Sequence, residues 1–150
     1  MKRATLRIAF IIASMSFLSA GCGDNTSQRV VRFKDFRITQ NPTDLPAGLP
    51  AGFRYPDARA VLSAGYEPES YASSQEGSIE FESRDDVQHI EAYYNNAFRE
   101  QGWKVIQSRS EEKALLLMAE SAYSEVVTVI ARSGPPSRIR VYMRRLGRDG

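Results

Sequence analysis

The sequence predicts an α+β fold: a curved antiparallel sheet with one packed helix, in the order β-β-α-β-β-β-β, behind a signal peptide and a proline-rich linker. Three observations carry that expectation. One stretch in the middle of the chain repeats its apolar residues with the 3.6-residue period of an amphipathic helix. Short runs on either side alternate apolar and polar residues with the period of two that a half-buried strand requires. The first 21 residues have a charge and hydropathy pattern of their own, that of a segment removed before folding.

The helix is the clearest element. Val87, Ile90, Tyr94, Ala97 and Phe98 stand at i, i+3, i+7, i+10 and i+11, one face of a helix, while Gln88, Glu91, Asn95 and Arg99 lie off that stripe. Ser83 is placed to cap its start, with Asp86 three residues later in capping-box position. Asp85 and Asp86 also suit the positive end of the helix dipole. Gly102 sits where a C-terminal cap glycine belongs, so the spacing predicts a helix over 84–101.

Strands flank it. Arg59 to Ser63 reads as a short opening strand. Ser78 to Glu82 alternates, with Ile79 and Phe81 inward and Glu80 and Glu82 outward. Trp103 to Gln107 begins directly after Gly102. Val126 to Arg132 is a β-branched run. In 138–145, Ile139, Val141 and Met143 alternate with Arg138, Arg140, Tyr142 and Arg144. Gly134-Pro135-Pro136 separates the last two strands as a hairpin loop. Residues 111–122 favour helix by propensity. They lie between two strands with short connections, however, and a strand over 113–119 completes an antiparallel meander; strand is the expectation.

The N-terminal segment carries Lys2, Arg3 and Arg7 and no acid, then an apolar run from Ile8 to Leu18. A membrane-spanning helix needs roughly 20 apolar residues, and this run has the length of a signal-peptide core. Ser19, Ala20 and Gly21 are small, and Cys22, the single cysteine of the chain, follows them. The run Leu18-Ser19-Ala20-Gly21-Cys22 resembles the lipobox of bacterial lipoproteins, with Ser19 where that family prefers an aliphatic residue and Leu18 one place early. The resemblance covers about the first 24 residues. It implies that the Cys22 thiol carries a diacylglycerol, that the chain is cut before Cys22, and that the new amino group is acylated. Each buried CH₂ contributes about 0.8 kcal/mol, so two or three chains make a practically permanent membrane tether. Gly23, rather than aspartate, follows the cysteine, which by the same resemblance implies the outer membrane, facing the periplasm.

The chain has 20 Lys+Arg against 18 Asp+Glu, a net charge of +2. Lys2, Arg3 and Arg7 fall in the signal; without them 17 basic residues face 18 acidic and the net charge is −1. The basic balance thus comes partly from the removed segment and is poor evidence for a nucleic-acid partner, so none is expected, and a lipidated Cys22 leaves the folded part without a disulfide. The expected organisation is a cleaved signal peptide (1–21), a lipid-anchored tether and linker (22–51), an α+β domain (52–146) and a short tail (147–150). Val30 to Ile38 is richer in β formers and reads as a short strand or a docking segment. Pro42, Pro46, Pro50 and Pro56, with Gly48 and Gly52, exclude regular helix or central strand; 41–56 is expected to be an extended, solvated spacer.

Tyr55-Pro56, the helix with Tyr93-Tyr94, and Gln101-Gly102-Trp103 are similar to a pattern in small bacterial envelope proteins, in which a Tyr-Pro turn leads into a strand and a tyrosine-bearing helix ends in Gly-Trp. The resemblance spans about residues 50–146 and implies the fold, with no catalytic residue to transfer.

No cofactor or metal is expected. His89 is the only histidine, and a zinc centre needs several His or Cys ligands. No nucleophile elbow of the G-x-S-x-G kind occurs. Glu80, Glu82, Asp85 and Asp86 cluster around the helix start but lack the spacing of a calcium loop; solvent exposure and helix capping account for them. Arg132, Arg138, Arg140, Arg144, Arg145 and Arg148 crowd the C-terminal end, whereas 67–100 holds nine acids against Arg84 and Arg99. Arg138, Arg140 and Arg144 either pair across strands with Glu80 or Glu82 or form a face for an anionic partner such as a lipid headgroup or polymer. Trp103 reads as a core anchor, or with Tyr93, Tyr94, Tyr123 and Tyr142 as an aromatic surface. The expected protein is a non-catalytic accessory or interaction module of the envelope, held in the membrane at Cys22. Its partner is an envelope protein or anionic polymer; the alternative is a hydrolase using the carboxylates.

Overall fold

Among the described residues, eight strands pair into one antiparallel sheet, and one amphipathic helix covers one of its faces. The structure is a computed structural model that describes residues 27–66 and 75–145. The signal peptide 1–21, Cys22 and the tail 147–150 lie outside the described residues. In chain order the elements are β1 (Arg29–Phe33), β2 (Phe36–Gln40), a 3₁₀ turn (Ala51–Phe53), β3 (Arg59–Tyr66), β4 (Gln75–Ser83), α1 (Val87–Glu100), β5 (Lys104–Glu111), β6 (Ala114–Glu120), β7 (Glu125–Arg132) and β8 (Ser137–Arg145). The sheet order is β1-β2-β3-β4-β8-β7-β6-β5. Two four-stranded meanders thus meet at the β4–β8 pair, and α1 carries the chain from the middle of the sheet to its far edge.

The order differs from the sequence expectation by the two strands β1 and β2. Val31↔Ile38 and Arg32↔Arg37 are partners in a tight hairpin, and β2 continues onto β3 through Ile38↔Ala64 and Thr39↔Ser63. The alternation of 30–38 looks imperfect because Lys34 and Asp35 form the turn (Lys34 has φ 52°) and restart the pattern halfway. Within 111–122, Ala114–Glu120 form β6 after a two-residue turn at Glu112-Lys113, with Leu115 and Leu117 buried. Pairing with β5 and β7 on both sides overrides their helix propensity.

Ile79, Phe81, Val127, Val129, Ile139 and Val141 point to the covered face and are buried. Against them pack Val87, Ile90, Tyr94, Ala97 and Phe98, the stripe that the helical period marks out. The helix starts later than expected. Asp86, not Ser83, is its N-cap, accepting from the His89 amide at 2.9 Å. Ser83 instead accepts from the Asp85 amide at 3.1 Å. That local turn ends β4 and delays the helix, the competition typical of serine hydroxyls.

The proline-rich segment is not a solvated spacer, and the expected boundary at residue 52 does not divide the fold. Leu49, Phe53 and Tyr55 are buried in the core. Prolines keep 41–56 out of helix and sheet as expected, but the segment lies on the covered sheet face beside α1. Gly65 and Gly77 are cross-strand partners there. A Cβ on Gly77 would stand 3.2 Å from the Pro46 Cβ, so the missing side chain is what lets the proline loop approach the sheet.

Candidate functional site

Three regions hold the residues that chemistry or recognition could use: the junction of 52–56 with α1, the arginine-bearing outer face of the sheet, and the β1–β2 edge.

At the junction, Phe53 meets Phe98 and Trp103 with ring centroids 5.3 Å from each. Tyr55 lies 4.9 Å from Tyr93, and Tyr93 5.1 Å from Tyr94, both edge-on. The hydroxyls anchor the backbone. Tyr94 donates to the buried Phe53 carbonyl at 3.2 Å, and Tyr93 Oη lies 2.7 Å from the Arg54 carbonyl and 3.0 Å from that of Gly52. Tyr55 donates to Asp85 Oδ2 at 2.8 Å. Burial, then the hydrogen bond to Asp85, pushes the Tyr55 phenol far above its ordinary range. Burial does the same to Tyr94 and, more mildly, to Tyr93. These are proton-holding, structural hydroxyls. Trp103 is a core anchor, and the tyrosines do not share one surface: Tyr142 stands on the opposite face of the sheet and Tyr123 is exposed in the β6–β7 turn.

On the outer face the β4–β8 register sets Glu82 opposite Arg138, Glu80 opposite Arg140, and Glu76 opposite Arg144. Arg140 Nη2 lies 2.7 Å from Glu80 Oε2, Arg144 Nε 3.2 Å from Glu76, and Arg138 3.7 Å from Glu80. Arg59 reaches Glu82 at 3.3 Å. Arg138, Arg140 and Arg144 thus each meet a carboxylate, and the β4–β8 strip is a lattice of alternating charge, while Arg132 stands across from Arg138 on the same face. Shallow depressions flank it, one of ≈ 320 Å³ beside Ile130 and Arg132, the other of ≈ 490 Å³ between Phe36, Tyr66 and Tyr142. Burial, then the charge of Glu76, raises the Tyr142 phenol. The Phe36–Tyr66 pair is not visible in the sequence reading, because β3 was expected to stop at Ser63; its signal is the Phe36↔Tyr66 register.

His89 is exposed, with Nδ1 2.8 Å from Asp86 Oδ1. That hydrogen bond raises the imidazole, and the bonds from the His89 amide and ring hold the Asp86 carboxyl low. Asp85 and Asp86 are engaged in the entry to α1. Among the described residues no group of three or more His, Cys, Asp or Glu side chains could hold a metal ion. Nor is any helix among them long and apolar enough to cross a membrane.

A family model described as START domain-like matches residues 64–131, somewhat less than half of the chain. The match runs from the end of β3 through α1 to β7, and leaves out the β1–β2 hairpin and all of β8 with its arginines. The chain is similar to that class over this span. No curated protein and no solved structure matches.

Proposed function

We propose that this chain is a lipid-anchored protein of the bacterial envelope, held at Cys22 in the outer membrane and facing the periplasm. Its α+β domain acts as a non-catalytic accessory or interaction module. The observation that carries the reading is the single cysteine placed directly behind three small residues and a short apolar run. The domain chemistry supports a non-catalytic role. The carboxylates that a hydrolase would use are engaged: Glu80 and Glu82 with arginines, Asp85 with Tyr55, and Asp86 at the helix cap. A role for Arg138, Arg140 and Arg144 as a binder of anionic lipid or polysaccharide has less support, since each guanidinium already faces a glutamate.

The anchor is tested by Cys22→Ser. The variant should leave the membrane fraction after a high-salt wash and lack an acyl mass on its N-terminal peptide; retention through the wash would refute the anchor. Crosslinking and pull-down of the wild-type protein from membranes should recover a specific envelope partner.

A further inference from the structure

We propose that the β1–β2 hairpin is a second membrane contact, docking on an anionic lipid surface with Phe33 at its tip. The proposal deepens the lipid-anchor reading and rests on it for the position of the bilayer.

Two features of the hairpin together suit a lipid surface. The first is its apolar surface. β1 pairs with β2 alone and forms one end of the sheet, yet Phe33 is 73% exposed, Val31 56% and Phe36 42%. Edge strands are normally protected by bulges and charges. The opposite edge, β5, also exposes Val105 and Ile106, but it breaks the ladder there with a register shift between Val105 and Gln107 and continues polar and charged from Gln107 to Glu111. β1 has no such bulge, and it presents its apolar side chains next to a phenylalanine-flanked turn.

The second feature is unmatched positive charge. Arg29, Arg32 and Lys34 are exposed, and no carboxylate among the described residues pairs with them. The hairpin's one acid, Asp35, accepts from the Tyr66 hydroxyl at 3.3 Å. Arg138, Arg140 and Arg144, by contrast, all meet glutamates. Arg29, Arg32 and Lys34, with no carboxylate partner among the described residues, stand beside exposed aromatic and aliphatic side chains, the composition of an element that lies in a lipid interface. There basic groups meet headgroup phosphates and the apolar tip enters the acyl boundary.

The chain path brings this element to the membrane. Cys22 lies seven residues before Arg29, and seven residues span at most about 25 Å in any conformation. A second copy is a poorer occupant, because pairing two such edges would bring two sets of Arg29, Arg32 and Lys34 together.

The test uses the chain from residue 22 carrying Cys22→Ser, so that no acyl chain contributes, in sedimentation with vesicles. The protein should bind phosphatidylcholine vesicles containing phosphatidylglycerol, weakly or not at all vesicles of phosphatidylcholine alone, and less as salt rises. Phe33→Ser, and separately Arg29→Ser with Arg32→Ser, should weaken binding at least about tenfold with an unchanged Trp103 emission spectrum, while Arg140→Ser should leave it intact. No binding to the anionic vesicles, or binding indifferent to the hairpin substitutions, would overturn the proposal. So would a dimer in free solution that Phe33→Ser dissociates, since the tip would then be covered by a second copy. Acylation of Cys22 is read separately by mass, so the anchor and the hairpin fail independently.

Discussion

Replacing Phe53 by alanine distinguishes a proline-rich segment that belongs to the core from one that merely spaces it. Phe53 is fully buried, and its ring meets Phe98 and Trp103 at 5.3 Å. Removing a buried phenylalanine ring costs about 3–5 kcal/mol through lost transfer energy and the cavity left behind. The aromatic contacts with Phe98 and Trp103 place this site towards the upper part of that range. With a urea slope of about 2 kcal/mol/M for a domain of this size, a loss of about 4 kcal/mol moves the midpoint down by about 2 M. The assay is equilibrium urea unfolding followed by the emission of Trp103, the chain's single tryptophan, which packs on the deleted ring and so reports the local and global transitions together. Phe33→Ala, at an exposed position, is the control and should stay within about 0.5 kcal/mol of wild type. A midpoint for Phe53→Ala within about 0.25 M of wild type, equivalent to that same 0.5 kcal/mol at the slope above, would refute the argument that 41–56 is part of the core.

Gly77→Ala should destabilise by about 1–3 kcal/mol, because its Cβ would stand 3.2 Å from the Pro46 Cβ and 3.4 Å from its Cγ; a neutral result in thermal unfolding would mean that the loop yields freely. A double-mutant cycle on Glu80 and Arg140, 2.7 Å apart, should give a coupling of about 0.2–1 kcal/mol that shrinks as salt rises. The Asp86–His89 pair sets a pH dependence with two limbs. The raised imidazole contributes stability in full below its ordinary pKa of 6.5 and loses it as pH rises through the folded value. The lowered carboxyl contributes above its ordinary 3.8 and loses it as pH falls through its folded value. Tm should therefore peak between those limits, and His89→Gln should flatten the alkaline limb; an unchanged limb would show that the pair is not coupled to folding.

Much of the fold was legible in local pattern. The helix stripe from Val87 to Phe98 became the buried face, since a 3.6-residue repeat has one way to meet a flat sheet. Ile79 and Phe81 turned inward and Glu80 and Glu82 outward, because strand alternation leaves no other choice. The helix start was misplaced because Ser83 and Asp86 are both competent caps, and only the end of β4 decides between them. The arginines were visible as residues but not as partners. Which carboxylate each one meets depends on the β4–β8 register, a pairing of residues some 60 positions apart.

What the sequence determined by itself is the class of fold, the helix and its apolar face, and the expectation of a lipid anchor at Cys22; all of these rest on neighbours a few residues apart. The tertiary structure alone decided the place of 29–56. Prolines state only that such a stretch is neither helix nor central strand, and five-residue strands say little without the sheet they join. Gly77 and Gly65 leave a gap on the sheet face, and Tyr93, Tyr94 and Asp85 supply hydroxyls and a carboxylate at the helix. Those long-range contacts draw Leu49, Phe53 and Tyr55 inward and leave the β1–β2 hairpin, with the exposed Arg29, Arg32, Lys34 and Phe33, at the outer edge.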